Sequence, residues 1–261
     1  MVHLYRFHLK RHTRGALLLA VAFMLLCTGA VLLFDEGTIA LLSEARANNA
    51  PLAAALGLGS SEWLVTHLAS LVYGLLLPLT GSLYAVRLSA MLIADKIETG
   101  EVAHYLALPI RREQFVFSQT LVLLTCLLLP VFGALLGGYG AALAFKPGAV
   151  IHPAGILWLS AGLYAVMVLF GCLGLMLSCG AVERRVVVLA GTFICLLLFA
   201  LGLLAQPLGL PEQLRYLSFY WLYAPQALAV GRPAPALAAL PLVSLLFVLI
   251  GSWRFAARDL E

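Results

Sequence analysis

The chain has 261 residues, 63% of them hydrophobic and 11% charged, with a mean hydropathy of +1.02. A soluble domain of this size carries about 25% charged residues, so the composition excludes a water-soluble globular protein and points to a single all-α domain embedded in a membrane. The formal net charge of +4 carries no nucleic-acid signature and instead reports membrane topology.

Residues 1–14 mix Leu4, Tyr5, Phe7 and Leu9 with His3, Arg6, His8, Lys10, Arg11, His12 and Arg14, the makeup of a short helix lying in the headgroup layer. His8 and His12 stand at i and i+4, a spacing that suits a metal, but Lys10 and Arg11 beside them repel a cation. Crossing a bilayer takes roughly 20 apolar helical residues, and runs of that length fall at 15–34, 63–94, 117–145, 154–180, 186–205 and 237–253. The first run is followed by Asp35 and Glu36 without a small-x-small cleavage context, so it reads as a membrane helix and not as a cleaved signal. Residues 35–61 read as a short surface helix, too small for a core of its own.

Segment 207–235 is apolar enough to imitate a seventh span. It also holds Glu212, Arg215 and Pro225, and its Tyr216, Phe219, Tyr220, Trp221 and Tyr223 are residue types that settle at a membrane interface. It therefore reads as short helices dipping into the outer leaflet, with Pro225 ending or kinking one of them.

Six spans put both termini on one side. Placing them inside leaves Arg6, Lys10, Arg11, Arg14, Arg87, Lys96, Arg111, Arg112, Arg184, Arg185, Arg254 and Arg258 cytoplasmic, against Arg46, Lys146, Arg215 and Arg232 outside. Basic residues near span ends stay inside, so the bias predicts a multi-pass protein of the cytoplasmic membrane with both termini cytoplasmic. All five cysteines, Cys27, Cys126, Cys172, Cys179 and Cys195, fall in spans and none forms a Cys-x-x-Cys pair, which suits packing thiols. Gly133-x-x-x-Gly137 and Gly171-x-x-Gly174 are small faces that let helices approach closely in lipid.

Catalytic signatures are missing from the sequence. A P-loop needs a lysine in a Gly-x-x-x-x-Gly-Lys-Ser/Thr context, and Lys10, Lys96 and Lys146 all lack it. No His-Glu-x-x-His, no Gly-x-Ser-x-Gly and no mid-span carboxylate pair occurs, so the chain is expected to hold no catalytic, cofactor or metal site of its own. A membrane-embedded lipid-modifying enzyme is the distant alternative, with His104 and Glu101 as its nearest pair.

The most informative stretch is 95–116, a charged segment between two long apolar runs. Val102, Tyr105, Leu106 and Leu108 form an apolar side, while Glu98, Glu101, Arg111, Arg112, Glu113 and Gln114 are polar. Gly100 offers a helix stop and Pro109 cannot sit inside a regular helix. Such a helix rests on headgroups or docks into a groove of a soluble partner. The order Glu98, Gly100, Leu106, Leu108-Pro109-Ile110, Arg112 resembles the cytoplasmic loop of type 2 ATP-binding-cassette permeases. The basic N-terminal helix, the six spans, the aromatic outer segment between spans five and six and the ending Arg254 to Leu260 are also similar to that family, so the resemblance covers the whole chain. Many members carry lysine where Gln119 stands here, which leaves the subgroup open.

The resemblance implies the membrane subunit of an exporter. It would work as a dimer with a second copy or a paralogue, alongside two copies of a separate ABC ATPase that binds ATP and Mg. Glu98, Gly100, Glu101, Tyr105, Leu106, Pro109, Arg111, Arg112 and Gln114 would couple to that ATPase. The alternative is a scaffold or channel subunit that ATP does not drive, with 95–116 as an interfacial anchor. Spans without central charges suit a hydrophobic or amphipathic cargo, which the sequence does not name.

One further pattern bears on the route of that cargo. Thr66, Ser70, Tyr73, Leu77, Thr80, Tyr84 and Arg87 recur at steps of four and three along the second span, which keeps them on one side of a regular helix. Tyr73, Leu77, Thr80 and Tyr84 are expected to line a central path at the axis of the dimer, opposite Thr192, Phe193 and Phe199 of the fifth span. A packing seam of interhelical hydrogen bonds is the competing reading.

Overall fold

The computed structural model describes residues 2–48, 50, 63–102, 112–147, 153–204, 218–232 and 235–257. Every regular element among them is helical. Six helices are long and apolar enough to cross a membrane, at Tyr5–Leu32, Leu76–Glu98, Arg112–Phe145, Pro153–Gly180, Arg184–Gly202 and Ala239–Ala256, so the protein is an all-α, multi-pass membrane protein.

Helix α1 runs unbroken over Val2–Leu32, 31 residues, or about 46 Å at 1.5 Å per residue. That exceeds a hydrocarbon core of about 30 Å, so the basic first turns project beyond the slab on the axis of the span itself. The separate interfacial helix expected over 1–14 is thus part of α1. No proline or glycine interrupts the chain before Gly15, and the Tyr5 hydroxyl sits 2.9 Å from Thr125 Oγ1, holding this end against the bundle. The surface helix expected after the first span is α2, Glu36–Asn48.

The second span is not one helix. It comprises α3 (Leu64–Leu68), a π-helical turn over Ala69–Tyr73, and α4 (Leu76–Leu92). Leu75 leaves the helical region at φ −130°, ψ −58°. Pro78 supplies the reason, because it has no N–H for the Gly74 carbonyl four residues back. After Ile93 the chain bends into α5 (Ala94–Glu98) and turns at Gly100, whose φ of +73° suits a residue without a β-carbon. Tyr105, Leu106, Pro109 and Arg111, with His104, lie outside the described residues.

The third span, α6 (Arg112–Leu135), continues through a π turn over Leu136–Gly140 into α7 (Ala141–Phe145). Arg112, Glu113 and Gln114 are therefore its first turn and not the end of a free-standing loop. Then come α8 (Pro153–Gly180), α9 (Arg184–Leu204), the short α10 (Phe219–Tyr223) and α11 (Pro225–Ala229), a 3-10 turn over Pro235–Ala238, and α12 (Ala239–Ala256). Ala224, at φ 38°, ends α10 and Pro225 opens α11. Five helical residues reach only about 7 Å, so neither piece of this segment crosses a membrane. Residues 207–217 lie outside the described set.

Helix α8 is central and packs against α4, α6 and α12. Small residues set these approaches: Gly171 lies under Leu123 of α6, Gly174 against Ser89 of α4, and Gly251 of α12 over the Met176 backbone. The Gly133-x-x-x-Gly137 face receives the Ala20 and Met24 backbone of α1, so closely that a β-carbon at either glycine would overlap a carbonyl oxygen. This motif therefore works within the chain. The starts of α1, α6 and α9 and the ends of α5, α8 and α12 gather at one end of the bundle.

Candidate functional site

That end carries a connected set of charges. The bend after Ile93 presents Asp95, Lys96 and Glu98 to the neighbouring helix ends. Lys96 is buried, with Nζ 3.0 Å from both ring nitrogens of buried His8 in α1, and donates to the unprotonated one. The same ammonium lies 5.6 Å from the centroid of the Phe115 ring in α6, which stacks on Phe255 of α12 at 5.8 Å.

Glu98 reaches α9. Its Oε2 accepts from the Arg184 backbone N–H at 2.8 Å, while Arg184 Nη1 donates to Asp95 Oδ1 at 3.1 Å. A carboxylate here satisfies one of the free N–H groups of a helix start and meets the positive end of its dipole. Glu101 pairs with Arg11 at 3.8 Å, both largely solvated. Arg112 donates to the Ala256 carbonyl at 3.3 Å, a cation at the negative end of α12. The two flanks of segment 103–111 are thus bonded to α1, α9 and α12.

Glu98, Glu101 and Arg112 belong to this network. Gly100 makes the turn, and Gln114 is half-buried in the first turn of α6. Sequence reasoning passed over His8, Arg11, Asp95, Lys96 and Arg184 as partners. The signal for Asp95 and Lys96 was their place next to Glu98 in a short charged helix. His8 and Arg184 carried none, since their roles depend on which helix ends meet.

The polar stripe of the second span divides at the Gly74–Leu75 break. Before the break Thr66, Ser70 and Tyr73 are buried, as is Leu77 just after it. Thr66 Oγ1 caps the start of α3 by donating to the Trp63 carbonyl at 2.8 Å and accepting from its N–H at 3.3 Å. Ser70 Oγ donates to the Thr66 carbonyl at 2.9 Å and accepts from Gln226 Nε2 at 2.8 Å. The Tyr73 hydroxyl stands 3.4 Å from Ser160 Oγ of α8. Tyr223, wholly buried, donates to the Leu159 carbonyl at 3.5 Å and covers Gly162. Gln226 is the functional-looking residue that was missed here; it is the lone amide in an otherwise apolar and aromatic run.

Beyond the break, Thr80 and Arg87 are exposed and Tyr84 is half-buried, its ring edge facing Gly15 of α1. Helix α9 meets α4 elsewhere, where Gly191 lies against Val86, two residues and about 200° around from Tyr84. Thr192 is half-buried, Phe193 is 67% exposed, and Phe199 is held edge-on to Tyr220 at 4.8 Å. Within one chain the fold does not bring Tyr84 to Thr192 or Phe199. Tyr73 and Leu77 lie in the core, and Thr80 and Phe193 reach the surface.

Gln119 is wholly buried in α6, and neither its amide nitrogen nor its oxygen has a hydrogen-bond partner among the described residues. No protein-family model matches the chain, and no curated protein is significantly similar to it.

Proposed function

We propose that the chain is the membrane-spanning subunit of an ATP-driven exporter of the type 2 ABC kind, set in the cytoplasmic membrane with its basic end inside. In this reading two copies, or one copy and a paralogue, pair with two ATPase subunits that bind ATP and Mg. Segment 95–116 receives the push of nucleotide-driven closure, and a hydrophobic or amphipathic cargo is moved by alternating access. Nucleotide shifts the bundle between states by its differential affinity for them.

The observation that carries this reading is the set of bonds on both flanks of 103–111. Lys96 to His8, Glu101 to Arg11, Asp95 and Glu98 to Arg184, and Arg112 to Ala256 join that segment to three other helices. A force applied there reaches α1, α9 and α12 together, where an anchor resting on headgroups needs none of these ties.

The test is a tagged chain purified from its own membrane, with a cysteine at exposed Glu113 for cross-linking. The expected result is a nucleotide-binding protein captured at that position in equal stoichiometry, with ATP hydrolysis that cross-linking stops. A further expectation concerns Glu98→Lys, which should keep the ATPase bound while uncoupling hydrolysis from transport. Inverting this charge removes the bond from Glu98 to the start of α9, through which the push would reach that helix. A purified chain free of any ATP-binding subunit, or unchanged coupling in the variant, removes the proposal.

A further inference from the structure

Helix α4 packs against α8, α9 and α6 and is touched by α1. Helix α8 packs through Gly174 on Ser89 and through Met167 on Gly81; α9 packs through Gly191 on Val86; α1 meets α4 where Gly15 faces the Tyr84 ring. Between α9 and α1 a strip is left uncovered, with Leu76, Thr80 and Arg87 exposed and Leu83, Tyr84 and Met91 half-buried. Positions 76, 80, 83, 87 and 91 recur at steps of three and four, so the strip runs straight along the helix.

A strip facing lipid is ordinarily apolar, and an arginine on it is costly unless an anion or water meets it. The ion pairs among the described residues join Arg11 to Glu101 and Arg184 to Asp95, and Arg87 has no carboxylate partner there. Its depth follows from two neighbours. Arg87 precedes Asp95 of the charged end by eight residues, about 12 Å of helix. Tyr84, one turn away, is level with Gly15, where α1 passes from Arg11 and Arg14 to its long apolar run. Arg14 is exposed beside Gly15, and Leu18, a turn further in, is 75% exposed. The lower end of the strip thus holds Arg87 and, one turn away, Tyr84, at headgroup depth, and the upper end offers Leu83 and Leu76.

We propose that this strip is a binding site for an anionic phospholipid of the leaflet at the basic end, its phosphate held by Arg87 and an acyl chain laid along Leu83 and Leu76. Guanidinium groups suit phosphate because their planar forks donate in pairs. Basic recesses between membrane helices bind anionic headgroups for the same reason. The site needs only this chain in a bilayer, so it stands or falls independently of any ATPase.

The test reconstitutes the whole chain in nanodiscs of equal phosphatidylglycerol and phosphatidylcholine, extracts it gently and counts retained lipid by native mass spectrometry. The wild type is expected to keep phosphatidylglycerol over phosphatidylcholine, and Arg87→Gln to keep about tenfold less, the scale of one charge-assisted contact. Thr80→Trp, which fills the strip and spares Arg87, should also lower retention, whereas Arg185→Gln at the same end of the bundle should not. Equal retention of the two lipids, or of phosphatidylglycerol by Arg87→Gln and wild type, overturns the proposal. An equal loss in Arg185→Gln also overturns it, since the attraction then belongs to the basic layer at large. So does efficient disulfide dimerisation of Thr80→Cys, because a second copy then covers the strip.

Discussion

The two halves of the second span carry the same polar period and meet opposite fates. In the half before the break Ser70 and Tyr73 are sealed between α8 and α11 with partners for their hydroxyls. In the half after it Thr80 and Arg87 stand on a strip that no described helix covers. A polar face on a membrane helix therefore says that something other than lipid chains belongs there, and leaves open whether that is protein. What separates the halves is the π turn at Ala69–Tyr73 and the break before Pro78, which shift the register of one relative to the other.

The comparison is broken most severely at Tyr73. Tyr73→Ala removes a wholly buried ring and its hydroxyl contact to Ser160, and should destabilise the protein by about 3 kcal/mol or more, as buried aromatic truncations do. Thermal unfolding in detergent measures it. A shift no larger than that of Thr80→Ala would mean that the half before the break is not the packed one.

Ser70→Ala should cost less, about 1 to 2 kcal/mol, because it strips the Gln226 amide of the acceptor at 2.8 Å and leaves a polar group short of a partner. The double variant with Gln226→Leu should recover part of that loss. Strict additivity of the two changes in the unfolding curves would show that the contact is not formed.

At the charged end, Glu98→Gln should cost about 0.5 to 1 kcal/mol, the worth of a carboxylate at a helix start, and should loosen α9. Glu101→Gln should change stability by only a few tenths of a kcal/mol, since its pair with Arg11 is solvent-screened. Amide exchange at the first turn of α9 should rise in the first variant and not in the second.

The smallest effect sharpens the contrast most directly. Thr80→Ala should stay within about 0.5 kcal/mol of wild type, as surface changes do, because the side chain is exposed and bonded only to its own helix, at Leu76 and Leu77. A cysteine at Thr80 should be accessible to maleimide and one at Tyr73 protected. All five native cysteines are buried, so background labelling is low. Equal labelling at the two positions would erase the distinction between the halves.

The number of spans, the short helices after Phe219, the surface helix after the first span and the stop at Gly100 were legible because each rests on local chemistry. Hydropathy sums along a run of residues, proline removes a donor wherever it sits, and glycine accepts a positive φ without help from the rest of the fold. The union of residues 1–14 with the first span escaped that reasoning: an amphipathic segment looks alike lying on a membrane or standing out of it, and contacts such as Tyr5 to Thr125 decide between them. The coupling residues were legible only as a charged, interrupted segment. That Glu98 closes the start of α9, and that Arg112 opens the third span and reaches Ala256, followed from where other helices end.

By itself the sequence determined that this is a bundle of six apolar helices with its basic residues concentrated towards one end, since those properties add residue by residue. Only the tertiary structure decided which polar groups meet. Ser70 and Gln226 stand 156 residues apart, and a helix turns about 100° per residue, so one inserted π turn or one missing proline N–H re-aims every side chain beyond it. The pattern from Thr66 to Arg87 was real, but whether a position along it entered the core or the open strip depended on the break at Gly74–Leu75 and on the helices packed to either side.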